Sequence, residues 1–401
     1  MSVNEWPRVR SRFAFHRRDV RGADAPLASA TQSGVLLRDD LDISVWNPDS
    51  DVSSYKLVEP GDFVIGLRSF QHGISYSKVR GIVSPAYTVL RGTDRVHPEF
   101  FKHYFRSPLL ISQLANLTQG IRQGQAIDVE AFANLELPIP PLDEQRRIAD
   151  FLDTETARIN ALSETYKSTK STIIERAQFM IDALIYGAGT PAPLKYFVKF
   201  REGPGIMAVD FQEGGTPLIR VSGLRNGEVT LKGANYLSEE KVSAQWSQFR
   251  LKLGDYLISG SATMGAISIV KDAGVVGAIP YTGLIVLRPA DPNVVMEYIA
   301  TALRSSLFIR QIDLLKTGAT MQHFGPTHLA QVSLPIPERE RQKDIASTAR
   351  VIGDQSAVTT AAIDRQLSLL SERRQALITA AVTGQFDVTT AGRATPFGDI
   401  A

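Results

Sequence analysis

The chain has 401 residues, with 44 Lys and Arg against 42 Asp and Glu, and no cysteine. That length accommodates two or three domains with ample core, and the missing cysteine removes disulfides, cysteine-ligated zinc and thiol nucleophiles. A formal charge of +2 excludes a strongly basic nucleic-acid coater, but not a DNA reader whose charge is segregated or shared with a partner.

The first residues carry no signal-peptide core, and no apolar run of about 18 residues occurs, so a soluble cytoplasmic protein is expected. A basic stretch follows, with Arg8, Arg10, Arg12, Arg17, Arg18 and Arg21 opposed only by Glu5 and Asp19. It reads equally as phosphate contact or as a solvated edge. Gly61-Asp62-Phe63-Val64-Ile65 predicts a turn opening a short strand, and Ala86 to Leu90 a second strand. Between them lies the polar loop Arg68-Ser69-Phe70-Gln71-His72-Gly73. Pro98 to Arg106 has helical spacing with Phe101, Tyr104 and Phe105 inward, and a second polar loop, Gly120-Ile121-Arg122-Gln123-Gly124-Gln125, comes after it.

Leu137-Pro138-Ile139-Pro140-Pro141 then stops the chain before a long helix with Asp143 as a plausible N-cap and Gly187 at its left-handed end. Ile148, Leu152, Ile159, Leu162, Tyr166, Ile173, Met180 and Leu184 recur in steps of three, four or seven, a heptad seam with Thr169 as its polar member. About forty residues at 1.5 Å each make a rod on the order of 60 Å. Residues 188–193 read as a linker.

Beyond the linker the pattern returns. Gly254-Asp255-Tyr256-Leu257-Ile258 matches the first turn and strand at an offset of 193, and Leu334-Pro335-Ile336-Pro337 repeats the proline run at 197. Gln145 recurs as Gln342 and Ile148-Ala149 as Ile345-Ala346, so some fifty residues keep one register. Lys195, Lys199 and Arg201 are the thinner counterpart of the basic stretch. Leu284 to Leu287 and Val294 to Ser306 echo the second strand and the helix, and Ile345, Ile352, Ile363, Leu370 and Leu377 the seam, which Gln366 and Arg374 interrupt. The tail after Asp387 is small and polar and is expected to fray. The expected fold is therefore α+β: two mixed α/β domains separated by a long antiparallel coiled coil of two helices, an internal repeat with pseudo-two-fold symmetry. Its limits are 1–140, a helix over 141–189, 190–337, a helix over 338–387, and a tail over 388–401.

Catalytic patterns are missing: no Gly-x-Ser-x-Gly, no Walker loop, no dinucleotide fingerprint and no Asn/Asp-Pro-Pro-aromatic tetrapeptide occurs. His323 and His328 stand five apart without a Glu partner, so no metal site is expected. The informative residues lie in loops at matching places. Arg68, Ser69, Gln71 and His72 stand opposite Ser259, Ser261 and Thr263; Arg122, Gln123 and Gln125 stand opposite Thr320, Gln322 and His323. Arg and Gln suit bidentate pairing with guanine and adenine edges, and Ser and Thr pair with either. Both readings, base contact and ordinary polar surface, stay open.

Leu137 to Ile148, together with Pro60 to Ile65 and Ser84 to Leu90, resembles the DNA-specificity subunit of type I restriction–modification enzymes, over nearly the whole chain and twice. Glu338-Arg339-Glu340-Arg341 departs from Pro141-Leu142-Asp143-Glu144, and Gly260-Ser261-Ala262 stands where the first copy has Arg68-Ser69-Phe70. The resemblance implies two target-recognition domains, each reading half of a bipartite, asymmetric double-stranded DNA site. The helices would set the spacer and dock two modification subunits that bind S-adenosylmethionine and methylate adenine. A separate restriction subunit would use ATP and Mg. The chain itself would catalyse nothing and bind no cofactor, and its near-neutral charge would reflect DNA binding shared with partners. A structural coiled-coil adaptor that binds protein partners is the alternative.

Overall fold

A computed structural model describes residues 6–41, 52–119, 126–261, 265–315 and 323–388. Two compact units divide the chain, residues 1–167 with 364–401, and residues 168–363. Each holds one α+β region and one stretch of each long helix, Leu142–Tyr186 and Arg339–Val382. Among the described residues no helix is long and apolar enough to cross a membrane.

The first unit is built on an antiparallel sheet in the order Phe15–Arg18, Thr88–Gly92, Phe63–Ile65, Ser75–Tyr76. Successive strand residues face opposite sides, and both sides are covered. Phe63 and Ile65 pack with Phe100, Phe101, Tyr104 and Phe105 of the helix Pro98–Tyr104 and its end. Val64 and Val89 face a small lobe of Ala28, Val35, Val58 and Val83. That lobe comes from the hairpin Ala28–Thr31 with Gly34–Leu37 and the pair Lys56–Val58 with Gly81–Val83.

The second unit repeats the frame. Its six-stranded sheet begins Val198–Glu202, Leu284–Pro289, Tyr256–Ser259, Ile267–Ile269, the same four-strand order, and continues through Glu228–Val229 and Leu224–Arg225. Tyr256 and Ile258 face Tyr298, Ile299 and Leu303, whereas Leu257 faces Ile219, Val229 and Leu251. Beyond the frame the lobe differs: a four-stranded sheet orders Phe211–Gln212, Asn235–Leu237, Thr216–Ile219 and Ile279–Pro280 around Ile206, Leu218 and Val242.

In both units the helix expected after the second strand is present and is followed at once by a second one that the spacing did not suggest. Pro98–Tyr104 and Pro108–Asn116 are separated at Ser107, and Met296–Ala302 and Ser306–Leu315 at Ser305. Ser107 Oγ accepts from Leu110 N, and Ser305 Oγ from Phe308 N, so the serine caps the second helix. The proline runs are strands that close each domain: Glu136–Pro138 pairs with Arg8–Arg10, and Ser333–Pro335 with Pro191–Pro193. Residues 191–193 are therefore an ordered edge and not a linker, because Leu194 N also bonds Val332 O.

Several helix details differ from expectation. The first long helix already includes Leu142, so Asp143 lies inside the first turn, paired with Arg146 instead of capping. Gly384, but not Gly187, adopts left-handed backbone, at φ 74°, and the second helix stops at Val382, short of 387. Within the first unit Ile148, Ala149 and Leu152 share a core with Ile378, Ala381 and Val382. Within the second, Ile185 shares one with Ile345 and Ala346. The seam is thus strong where a helix meets a domain and thin elsewhere. Ile159 and Ile363 are buried, while Tyr166, Ile173, Leu184, Ile352, Leu370 and Leu377 are half-buried. Leu162 and Met180 are exposed, as is Gln366, because neither helix has a continuous apolar stripe at those turns to receive them.

Candidate nucleic-acid interface

Each frame is set by a buried carboxylate that the sequence showed only as part of a turn. Asp62, with no exposed surface, accepts from Glu59 N at 2.8 Å, from Arg18 at 3.1 Å and from Arg91 at short range. Asp255 accepts from Lys252 N at 2.7 Å and holds Arg288 at 2.7 and 2.5 Å. The preceding Gly61 and Gly254 lie at φ 89° and 82°, a backbone region that other residues rarely enter. Bonding to Asp62 and Asp255 holds the guanidinium pKa of Arg91 and Arg288 above its ordinary value.

A second device fixes each domain on its long helix. Gln145 is buried; its Oε1 accepts from His97 N at 2.7 Å, and its Nε2 donates to Arg95 O and Pro140 O at 2.9 and 2.8 Å. Gln342 repeats all three bonds, with Val295 N, Asn293 O and Pro337 O at 2.8, 3.3 and 2.7 Å. In the first unit alone, Lys102 Nζ and His103 Nε2 also reach Asp153 at 2.7 and 2.6 Å, and Tyr76 Oη donates to Glu99. Burial pushes the His103 ring below its ordinary pKa, against the pull of Asp153. Burial also raises Asp153, but hydrogen bonds from His103 and Lys102 outweigh it and hold the carboxyl at about 2.

The frame narrows the list of DNA-facing candidates. Ser69 and Ser259 are buried, and their hydroxyls serve their own loops: Ser69 Oγ accepts from Gly66 N, and Ser259 Oγ donates to Ser261 O. Both hydroxyls are thus enclosed and engaged inside the chain, at odds with their expected place among exposed loop residues. Ser261 is half-buried. Arg68 and Gln71 are exposed, and Gln71 and His72 border a cavity of the first unit. His323 and Lys199 are exposed, Lys199 on a strand paired with Arg288. Arg122, Gln123, Gln125, Thr263, Thr320 and Gln322 lie outside the described residues.

The basic stretch is mostly neutralised in place. Arg8 faces Glu136, Arg17 faces Glu130, Arg18 is held by Glu59 and Asp62, and Arg21 by Asp19. Arg10 and Arg12 are exposed, and among the described residues neither has an acidic partner; Arg12 donates to Ala133 O. Arg10 and Arg12 therefore remain as cations available to a phosphate.

The family model for the type I restriction modification DNA specificity domain matches this chain twice, over residues 56–169 and 194–367. The chain belongs to that family. One match falls in each repeat, and sequence-specific DNA recognition is the task of this type I specificity subunit. The MjaVIII specificity subunit of Methanocaldococcus jannaschii is 20% identical over 317 residues, covering 74% of this chain and 73% of that relative. The EcoKI specificity subunit of Escherichia coli K12 is 22% identical over 285 residues, 64% and 58% respectively.

Solved structures agree on the fold. A chain in a structure describing complex assembly and conformational transition of the type I R-M system matches at a TM-score of 0.77 and 19% identity, covering 96% of this chain and all of that one. The HsdS subunit of Thermoanaerobacter tengcongensis matches at 0.56 and 19%, over 96% and 98%.

Proposed function

We propose that the specificity subunit reads a bipartite, asymmetric DNA site, one half per recognition domain. Residues 1–140 and 190–337 are the two readers, 141–189 and 338–387 the helices that set the spacer, and 388–401 a tail. The observation that carries this reading is a frame used twice with a different lobe on each copy. A common frame holds a reader in place, and an altered lobe with altered loops offers different hydrogen-bonding groups to base edges. An antiparallel pairing of the long helices is supported by the cores described above, in which the start of one helix meets the end of the other in each unit.

The long helices also dock two modification subunits. Apolar side chains left exposed on them support this, among them Phe179 at 73% and Val358 at 72% exposure. The modification subunits bind S-adenosylmethionine and methylate adenine-N6, and a restriction subunit using ATP and Mg joins where one is present. This chain supplies recognition and no catalysis, and works in the cytoplasm where the DNA is. Arg10 and Arg12 contact phosphate, and the loops around Arg68, Arg122, Ser261 and Thr320 carry the base contacts.

Methylome mapping of a host that expresses the chain with its modification subunits tests the reading. The expected result is a two-part motif around an unspecified gap; random methylation or one continuous motif overturns it. Adding one helical turn to both long helices is expected to change the gap and leave both half-sites intact.

A further inference from the structure

The first unit has a half-open pocket of about 450 Å³ between its α+β region and the stretches it holds of the two long helices. That volume suits a small-molecule ligand. Arg106, Arg374, Lys78 and Lys102 border it, and Asp153 is the single carboxylate among the lining residues. Asp153 is already engaged by Lys102 and His103. Arg106 meets only backbone carbonyls, Thr31 O at 3.2 Å and Gln32 O. Arg374 Nε and the neighbouring Gln375 Nε2 are shielded from water and have no acceptor among the described residues. Four cations thus border the pocket, and one donor each of Arg374 and Gln375 stays unmet.

The second unit makes the contrast. Arg304 stands where Arg106 does, but Ala177 stands where Arg374 does. Gln178, the counterpart of Gln375, has its Nε2 satisfied by Asp182 Oδ1 at 3.0 Å and Arg304 O at 3.2 Å. The amide that the second unit satisfies with protein atoms is left unmet in the first.

We infer that this cavity binds a small oxyanion of the phosphate type, seated between Arg106 and Arg374 with Gln375 as a further donor. Planar guanidinium forks match the paired oxygens of such an anion. Burial, and then the charge of Arg374, push the pKa of Arg106 below its ordinary value, the electrostatic cost that a bound anion removes. The inference is independent of which bases the lobes read.

Calorimetric titration and thermal unfolding of the full chain test it, with inorganic phosphate and AMP as probes against sodium chloride at matched ionic strength. Phosphate and AMP are expected to bind and to raise Tm beyond chloride; the tighter of the two tells whether the ligand is a free anion or the phosphate of a larger molecule. Arg374→Ala is expected to weaken binding at least tenfold, Arg374→Lys to retain part of it, and Arg350→Ala in the second unit to leave it unchanged. Gln375→Glu, which supplies an internal carboxylate, is expected to abolish binding and serves if Arg374→Ala fails to fold. A phosphate response no larger than that of chloride, binding undiminished in the folded Arg374 and Gln375 variants, or a response to duplex DNA alone overturns the assignment.

Discussion

Gln145 and Gln342 occupy the same turn of their helices and meet the same three backbone groups, whereas Asp153 and Arg350, also equivalent, carry opposite charges. Around Asp153 the first unit places Lys102 and His103; the second has Ala300 and Thr301 at those positions. The cores differ in the same way, with Phe101 and Phe105 replaced by Ile299 and Leu303. A side chain that satisfies buried backbone cannot change without orphaning groups that every sequence has. A network of side chains can be replaced as a set, since all of its members leave together. The frame is therefore held by the first kind of contact, and the halves differ in the second.

The largest expected effect tests the frame. Asp62→Ala takes a buried partner from both Arg18 and Arg91, which keep only the more exposed Glu59, and Asp255→Ala takes one from Arg288; removing one partner of a buried pair costs about 3 kcal/mol once the partial exposure of the arginines is allowed for. Urea unfolding is expected to show the greater loss for Asp62→Ala; equal losses would mean that Arg18 adds nothing. Next, Gln145→Leu and Gln342→Leu each leave a buried N–H and two carbonyls unmet, about 2 kcal/mol. The two losses are expected to match, and a clear inequality would break the equivalence of the halves.

A smaller, sharper test lies where the halves solve one problem differently. Helix Pro108–Asn116 begins with a proline, which has no N–H to satisfy. Its counterpart begins with Ser306, whose N–H is accepted by Asp182 Oδ1 at 2.9 Å, and Thr379 stands at the matching place in the first unit. Asp182→Ala is expected to cost about 1 kcal/mol. Much of that is expected to return in the double variant with Ser306→Pro, a coupling that a double-mutant cycle reads. Simple additivity would show that Asp182 acts through other contacts.

The repeat, both long helices and the Gly-Asp strands were legible because apolar periodicity and proline placement survive in the amino-acid order itself. The partners of Gln145 and Asp62 were not, since nothing near them in sequence names a carbonyl or guanidinium fifty or thirty residues away; only the recurrence of each residue in register hinted at a role. Ser69 and Ser259 look like surface polar groups, and burial turns them inward. Leu162 and Met180 fit a heptad but lack a matching stripe to enter.

The smallest expected effect separates the halves by pH. A His103 ring whose folded pKa lies below the ordinary 6.5 takes its proton more readily in the unfolded chain. Its contribution is therefore present above pH 6.5 and is lost as pH falls toward the folded value. Asp153, at about 2 when folded against 3.8 when free, adds a second loss as pH falls from about 4 to about 2. Its side chain is 45% exposed, so solvent screening keeps that loss small. In the second unit Thr301, which has no acidic or basic group, stands in place of His103. Amide exchange, corrected for its intrinsic pH dependence, is thus expected to rise over residues 97–110 between pH 7 and 5 and to stay level over 295–308. His103→Gln is expected to flatten the first profile. If both segments change in parallel, the loss belongs to the frame they share and not to the His103–Asp153 pair.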